Sequence, residues 1–230
     1  MLVCATLFWA GNFMVGKFAF VENIPPMSLV FFRWLLVWLI LLPFTYKEII
    51  KNKDIILNNL PLLFFLAFTS VGLFNTFTYL SLTYTQVINA SLFNTAIPAA
   101  IIFLCFLFKI EKTNKFQIFG LILSIFGILS IITKLDLSVL ISLNFNKGDL
   151  IMIGGVITWG LYSAFLKNKN FTLPLLTLVQ VLCTLGLIFV FPQFLYELSQ
   201  GLTVKFDMKL GYTLIYLALF PSIGSYYCWA

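Results

Sequence analysis

Eight stretches of about twenty largely apolar residues, parted by short polar gaps, leave this chain one way to fold: as helices crossing a membrane. The stretches cover residues 2–20, 27–46, 60–82, 86–108, 116–133, 149–167, 174–196 and 211–230, and a helical span needs about 20 such residues. In hydrocarbon every backbone N–H and C=O must be bonded within its own segment, so each stretch is predicted to be an α-helix. Only 10% of the 230 residues are charged and 61% are hydrophobic, against about 25% charged in a soluble domain.

The gaps carry helix-breaking residues and cations. Pro25-Pro26 cannot continue the first helix. Thr83-Tyr84-Thr85 is so short that spans three and four are predicted to be antiparallel neighbours. Residues 134–148 form the longest interval and the expected boundary between an N-terminal unit, 1–135, and a second one, 148–230. Eight lysines fall on one side of the membrane and five on the other, which places the N-terminus in the cytoplasm of an inner (plasma) membrane protein. The net charge of +6 therefore belongs to interfacial loops, with no nucleic-acid partner. Met1–Phe20 lacks a cationic leader and is read as a retained helix.

The four cysteines are scattered and histidine is absent, so metal centres of the Cys/His kind and histidine-based catalysis are excluded, and no cofactor is expected. No HExxH or GxSxG is present. The chain is not expected to be an enzyme.

One segment is written twice. Leu7-Phe8-Trp9-Ala10-Gly11-Asn12-Phe13-Met14-Val15-Gly16-Lys17 returns 150 residues later as Ile157 to Lys167, with Trp9 falling on Trp159 and Lys17 on Lys167. Pro26 matches Pro174, Pro43 matches Pro192, and Leu66-Ala67 matches Leu217-Ala218 at nearly the same shift. The copies begin five spans apart, an odd number, so they cross in opposite directions. That is an inverted-topology repeat, in which a substrate site lies between the halves. The first unit has five spans and the second three, so eight helices are expected of a symmetric ten, and the chain reads as truncated.

Arg33 is the one charge well inside a span, costing about 2.5–3.5 kcal/mol at a helix centre on insertion scales. Two kinds of role fit it: contact with an anionic substrate group or a gate, or else snorkelling to the nearby interface or pairing with Glu22. Asn12, Asn75, Tyr79, Asn94 and Tyr162 are polar residues that must face helices or water. Asn75 and Tyr79 share one helix face, and Pro98 frees the Asn94 carbonyl. They either line a midplane pocket or bond helix to helix. Trp9 and Trp159 are candidates to stack on a substrate, or membrane-belt aromatics. Lys17 and Lys167 are helix-end cations, read as dipole anchors or as gates in opposite leaflets. No carboxylate lies deep in a span, so coupling through a buried acid is not expected.

Together these residues resemble the EamA-type transporters of the drug/metabolite transporter superfamily. Trp9-Ala10-Gly11-Asn12-Phe13 with Lys17 is similar to that family's opening, and Pro25-Pro26, Phe32-Arg33-Trp34 and Leu41-Leu42-Pro43 to its second helix. Tyr84-Thr85, Asn89-Ala90-Ser91-Leu92 and Pro98 resemble the third-to-fourth junction; Glu111, Gln117, Gly120 and Gly127 the segment after it. Gly148-Asp149-Leu150, Trp159, Tyr162 and Ser163 resemble the start of the second copy, and Leu219-Phe220-Pro221-Ser222 its eighth helix. Ile110 departs from the family's glycine before Glu111, and the ninth and tenth helices are absent. The resemblance implies an all-α polytopic bundle, a central cavity lined by both halves, and small-metabolite transport, often outward. A homodimer is one assembly it leaves open. The competing reading is a non-transporting membrane subunit or an inactive fragment.

Overall fold

The computed structural model describes residues 2–112, 114–133 and 146–229. The expected boundary between units falls mostly within 134–145, outside the described residues. Helices α1 (Leu2–Val21), α2 (Pro26–Lys51), α3 (Lys53–Asn58), α4 (Leu60–Ala67), α5 (Asn75–Tyr84), α6 (Val87–Asn94) and α7 (Ile97–Leu107) come first. They are followed by α8 (Lys115–Thr133), α9 (Lys147–Lys167), α10 (Leu175–Ser199), α11 (Met208–Leu217) and α12 (Ser225–Trp229). Two wider π turns, Phe68–Phe74 and Ala218–Gly224, join α4 to α5 and α11 to α12 without a break.

Among the described residues five helical runs are long and apolar enough to cross a membrane: Pro26–Lys51, Leu60–Tyr84, Val87–Leu107, Lys147–Lys167 and Leu175–Ser199. Helices α1 and α8 and the run from Met208 to Trp229 occupy the other three apolar stretches.

The ends follow from local chemistry. Asn23 takes a left-handed φ of 59° after α1, a conformation that asparagine tolerates at a helix stop. Pro25 stays extended and Pro26 opens α2, because a fixed φ and a missing N–H cost nothing in a first turn. The fourth predicted span is not one smooth helix. It is interrupted at Thr95 and Ala96, whose N–H groups reach back only three residues, to Leu92 and Phe93. Pro98, with no N–H to give Asn94, enforces the break.

The π turns are held by side chains. Asn75 Nδ2 donates to the Ser70 carbonyl at 2.8 Å, and Ser222 Oγ donates to the Leu217 carbonyl at 2.7 Å. Both bonds span five residues, meeting carbonyls that regular α geometry would have satisfied with backbone N–H groups. Pro221 has no N–H for Leu217, so the Ser222 hydroxyl replaces it.

The densest packing is α2 along α10, with α9 laid against α5, α7 and the first π turn. Trp34, Val37, Val71, Tyr79 and Cys183 join the main buried cluster. Helix α8 sits at the edge, with Phe116, Phe119 and Phe126 mostly exposed, as expected of a face turned to lipid.

Candidate functional site

Arg33 is 3% exposed, and five side chains meet around it. Its Nη1 donates to Asn12 Oδ1 at 3.0 Å, Asn75 Oδ1 at 3.1 Å and Tyr79 Oη at 2.7 Å. Its Nε donates to Ser222 Oγ at 2.8 Å. The Tyr79 hydroxyl in turn donates to Asn12 Oδ1 at 2.7 Å. The guanidinium carbon lies 5.3 Å from the Trp34 ring centre and 5.8 Å from that of Tyr79, within cation–π range. Gly16 lets α1 come this close: a Cβ there would stand 2.7 Å from Tyr79 Cε1.

Burying a guanidinium costs several kcal/mol in lost hydration. Here neutral dipoles offset that cost, each bond to a charged group contributing roughly 1.5–3 kcal/mol. The alternative of snorkelling does not hold for so enclosed a side chain. Nor does Glu22 pair with Arg33. It accepts from Lys209 at 2.7 Å, which holds that ammonium above the ordinary lysine range.

Four of the sequence-derived candidates, Arg33, Asn12, Asn75 and Tyr79, thus form one network. Trp9, Trp159 and Tyr162 form another. Trp9 meets Trp159 edge-on at 6.5 Å, and Trp159 packs on Tyr162 at 5.0 Å and Phe74 at 4.5 Å. Phe74 directly precedes Asn75, so the first π turn touches both clusters. Asn94 joins neither by hydrogen bonding, and its buried Oδ1 has no partner among the described residues.

Lys17 lies a turn before the end of α1 and reaches across to the end of α5, donating to the Leu82 carbonyl at 2.6 Å and that of Thr85 at 3.1 Å. The dipole it complements is that of the neighbouring helix. Lys167, in the last turn of α9, pairs with Glu111 at 2.6 Å, both half exposed.

Sequence reasoning missed three residues. Ser222 completes the arginine network, and its one signal was its place in Leu219-Phe220-Pro221-Ser222, the stretch that resembles the family's eighth helix. Asp149 and Glu197 stand near helix ends as expected, yet each is only 5% exposed. Asp149 accepts from Thr85 Oγ1 at 2.6 Å. Glu197 accepts from the backbone N–H of Met27 and Ser28 and from Ser28 Oγ, which caps α2 from another helix.

The profile of the EamA-like transporter family matches residues 1–133, more than half of the chain. The chain belongs to the EamA-like transporter family. An uncharacterised transporter of Archaeoglobus fulgidus is 30% identical over 234 residues, an alignment covering 100% of this chain and 77% of that protein. The uncharacterised transporter YyaM of Bacillus subtilis is 25% identical over 238 residues, covering 100% and 75% respectively. No solved structure matches. As an EamA-like transporter the chain is a multi-pass membrane protein with a small-molecule substrate. The arginine network contains the Arg33 and Asn12 of the two motifs that first suggested that family.

Proposed function

We propose that this chain moves small metabolites by alternating access between two inverted units, residues 1–135 and 148–230, as an exporter or exchanger of the inner membrane with its N-terminus in the cytoplasm. The observation that carries this reading is a recurrence. The π turns Phe68–Phe74 and Ala218–Gly224 stand at the same 150-residue shift that relates Trp9 to Trp159. Two supports come from packing. The matching tryptophans touch one another, and α2 lies along α10, its counterpart at the Pro43 and Pro192 positions. Contacts between equivalent elements are what a two-fold axis between the units would produce. On this reading eight helices cross the bilayer.

Substrate passes between the units, beside the Arg33 network and the Trp9–Trp159–Tyr162 cluster, and Lys17 and Lys167 steady opposite ends of the bundle. Among the described residues the two buried carboxylates, Asp149 and Glu197, are both engaged in hydrogen bonds rather than free to carry protons. The driving force is then the substrate gradient or a counter-substrate. The test is efflux from proteoliposomes loaded with mixed metabolites, with and without an imposed pH gradient. Release dependent on the protein and indifferent to the gradient is expected. Release that requires the gradient and is lost in Glu197→Gln would overturn the coupling. The absence of any protein-dependent release would overturn transport by this chain.

A further inference from the structure

Resting on that transport reading, we propose that Arg33 binds the carboxylate of a small monoanionic solute, and that this binding loosens the link Arg33 makes between the two π turns.

The first argument is charge. Among the described residues no carboxylate reaches Arg33, whose bonded partners Asn12, Asn75, Tyr79 and Ser222 are all neutral. The other buried acids are engaged elsewhere, Asp149 by Thr85 and Glu197 by Met27 and Ser28. Among the described residues Arg33 is therefore a buried positive charge with no carboxylate against it.

The second argument is unused donors. Arg33 spends Nε and Nη1 on its neutral partners, while Nη2 bonds to no acceptor among the described residues. Beside it, Trp34 is 2% exposed, and its indole Nε1 has no partner among the described residues. A buried N–H without an acceptor costs on the order of 1–3 kcal/mol. A cationic group with an N–H left over, 5.3 Å from the centre of an indole whose own N–H lacks an acceptor, suits the two oxygens of a carboxylate.

The third argument fixes the class. One guanidinium neutralises one negative charge. A dianion would leave a net charge in a low-dielectric interior, where interactions are strong and solvation is poor. A neutral amide would leave the cation as it was.

The consequence for the fold comes from two side chains that face both ways. Asn75 accepts from Arg33 through Oδ1 and donates to Ser70 through Nδ2. Ser222 accepts from Arg33 Nε and donates to the Leu217 carbonyl. Arg33 thereby ties a π turn in the first half of the chain to one near its end. A carboxylate on Nη2 draws the guanidinium toward itself with a charge-assisted bond roughly twice as strong as the neutral ones to Asn75 and Ser222. Its arrival, as the bundle opens between α2 and the second π turn, weakens that tie and couples occupancy to movement.

The test uses the purified full chain in nanodiscs at neutral pH, titrated with benzoate, with neutral benzamide and with dianionic phthalate. Thermal midpoint and tryptophan emission are recorded. Benzoate is expected to raise the midpoint and change the emission, with benzamide and phthalate at least about tenfold weaker, a ratio equal to about 1.4 kcal/mol. Trp34→Phe should remove the emission change, and Arg33→Gln should abolish the response. Should Arg33→Gln fail to fold, the wild-type comparison of the three probes decides alone. Equal responses to benzoate and benzamide, or an unaltered response in a folded Arg33→Gln, would overturn the proposal. Benzoate binding without protein-dependent flux in liposomes would sink the transport reading and leave this site standing. Flux with no preference for monoanions would do the reverse.

Discussion

Glu197 Oε2 accepts both the backbone N–H and the hydroxyl of Ser28 at 2.7 Å, although the residues stand 169 positions apart. Its Oε1 takes the N–H of Met27 at 3.0 Å. Proline begins α2 and offers no side-chain cap of its own, so a carboxylate from α10 serves the positive end of another helix. Glu197→Ala should therefore lower stability by about 1–3 kcal/mol, with Ser28→Ala costing less because two backbone bonds remain. Thermal melts of the chain in detergent measure both. A Glu197→Ala melt matching wild type would show that water replaces the cap.

Asn12→Asp makes a sharper probe of the arginine network. The Asn12 Oδ1 already accepts from both Arg33 and Tyr79, so aspartate keeps those two bonds and adds the missing negative charge. The expected outcome is a folded protein at least as stable as wild type that has lost benzoate binding by about tenfold or more. Retained binding would mean that the guanidinium is not where the carboxylate goes.

Two glycines on different faces should answer in opposite senses. A Cβ on Gly186 would collide with Val71 of the first π turn, while one on Gly120 would meet nothing within 4 Å. Gly186→Ala is expected to cost about 1–3 kcal/mol, and Gly120→Ala to gain up to about 1 kcal/mol from helix propensity. Paired melts check the contrast.

Lys17 offers a fourth case. Its two bonds to the Leu82 and Thr85 carbonyls close the end of α5 just before the turn into α6. Lys17→Ala should destabilise by about 1–2 kcal/mol. Lys17→Met, which keeps the apolar stem, should be nearly as costly if the ammonium matters more than packing. Recovery of wild-type stability in Lys17→Met would reverse that ranking.

The sequence made the apolar helices legible because hydrocarbon imposes one solution on the backbone, and it marked Arg33, Asn12, Asn75 and Tyr79 because polar groups in such helices must find each other. It did not show where the helices widen. A π turn depends on how a few carbonyls are shared between backbone and side chain, and Ser70, Asn75 and Ser222 are ordinary residues in any linear reading. Ser222 and Glu197 were hidden for a different reason: their partners come from α2, far away in the chain. Asn94 shows the converse. Its polarity suggested a place in the pocket, but the break at Thr95 and Ala96 leaves it outside the arginine network.

The turn Phe68–Phe74 also sets a direction. Passing through it, the chain advances with about one residue more per turn than α geometry would use, and one residue corresponds to about 100° of azimuth. Asn75 and Tyr79 lie immediately beyond it and owe their bearing on Arg33 to that accumulated rotation. Deleting a single residue inside the turn, with every functional side chain left in place, would swing both of them off the guanidinium. For this protein, the spacing of the chain is as much a part of the site as the groups that touch.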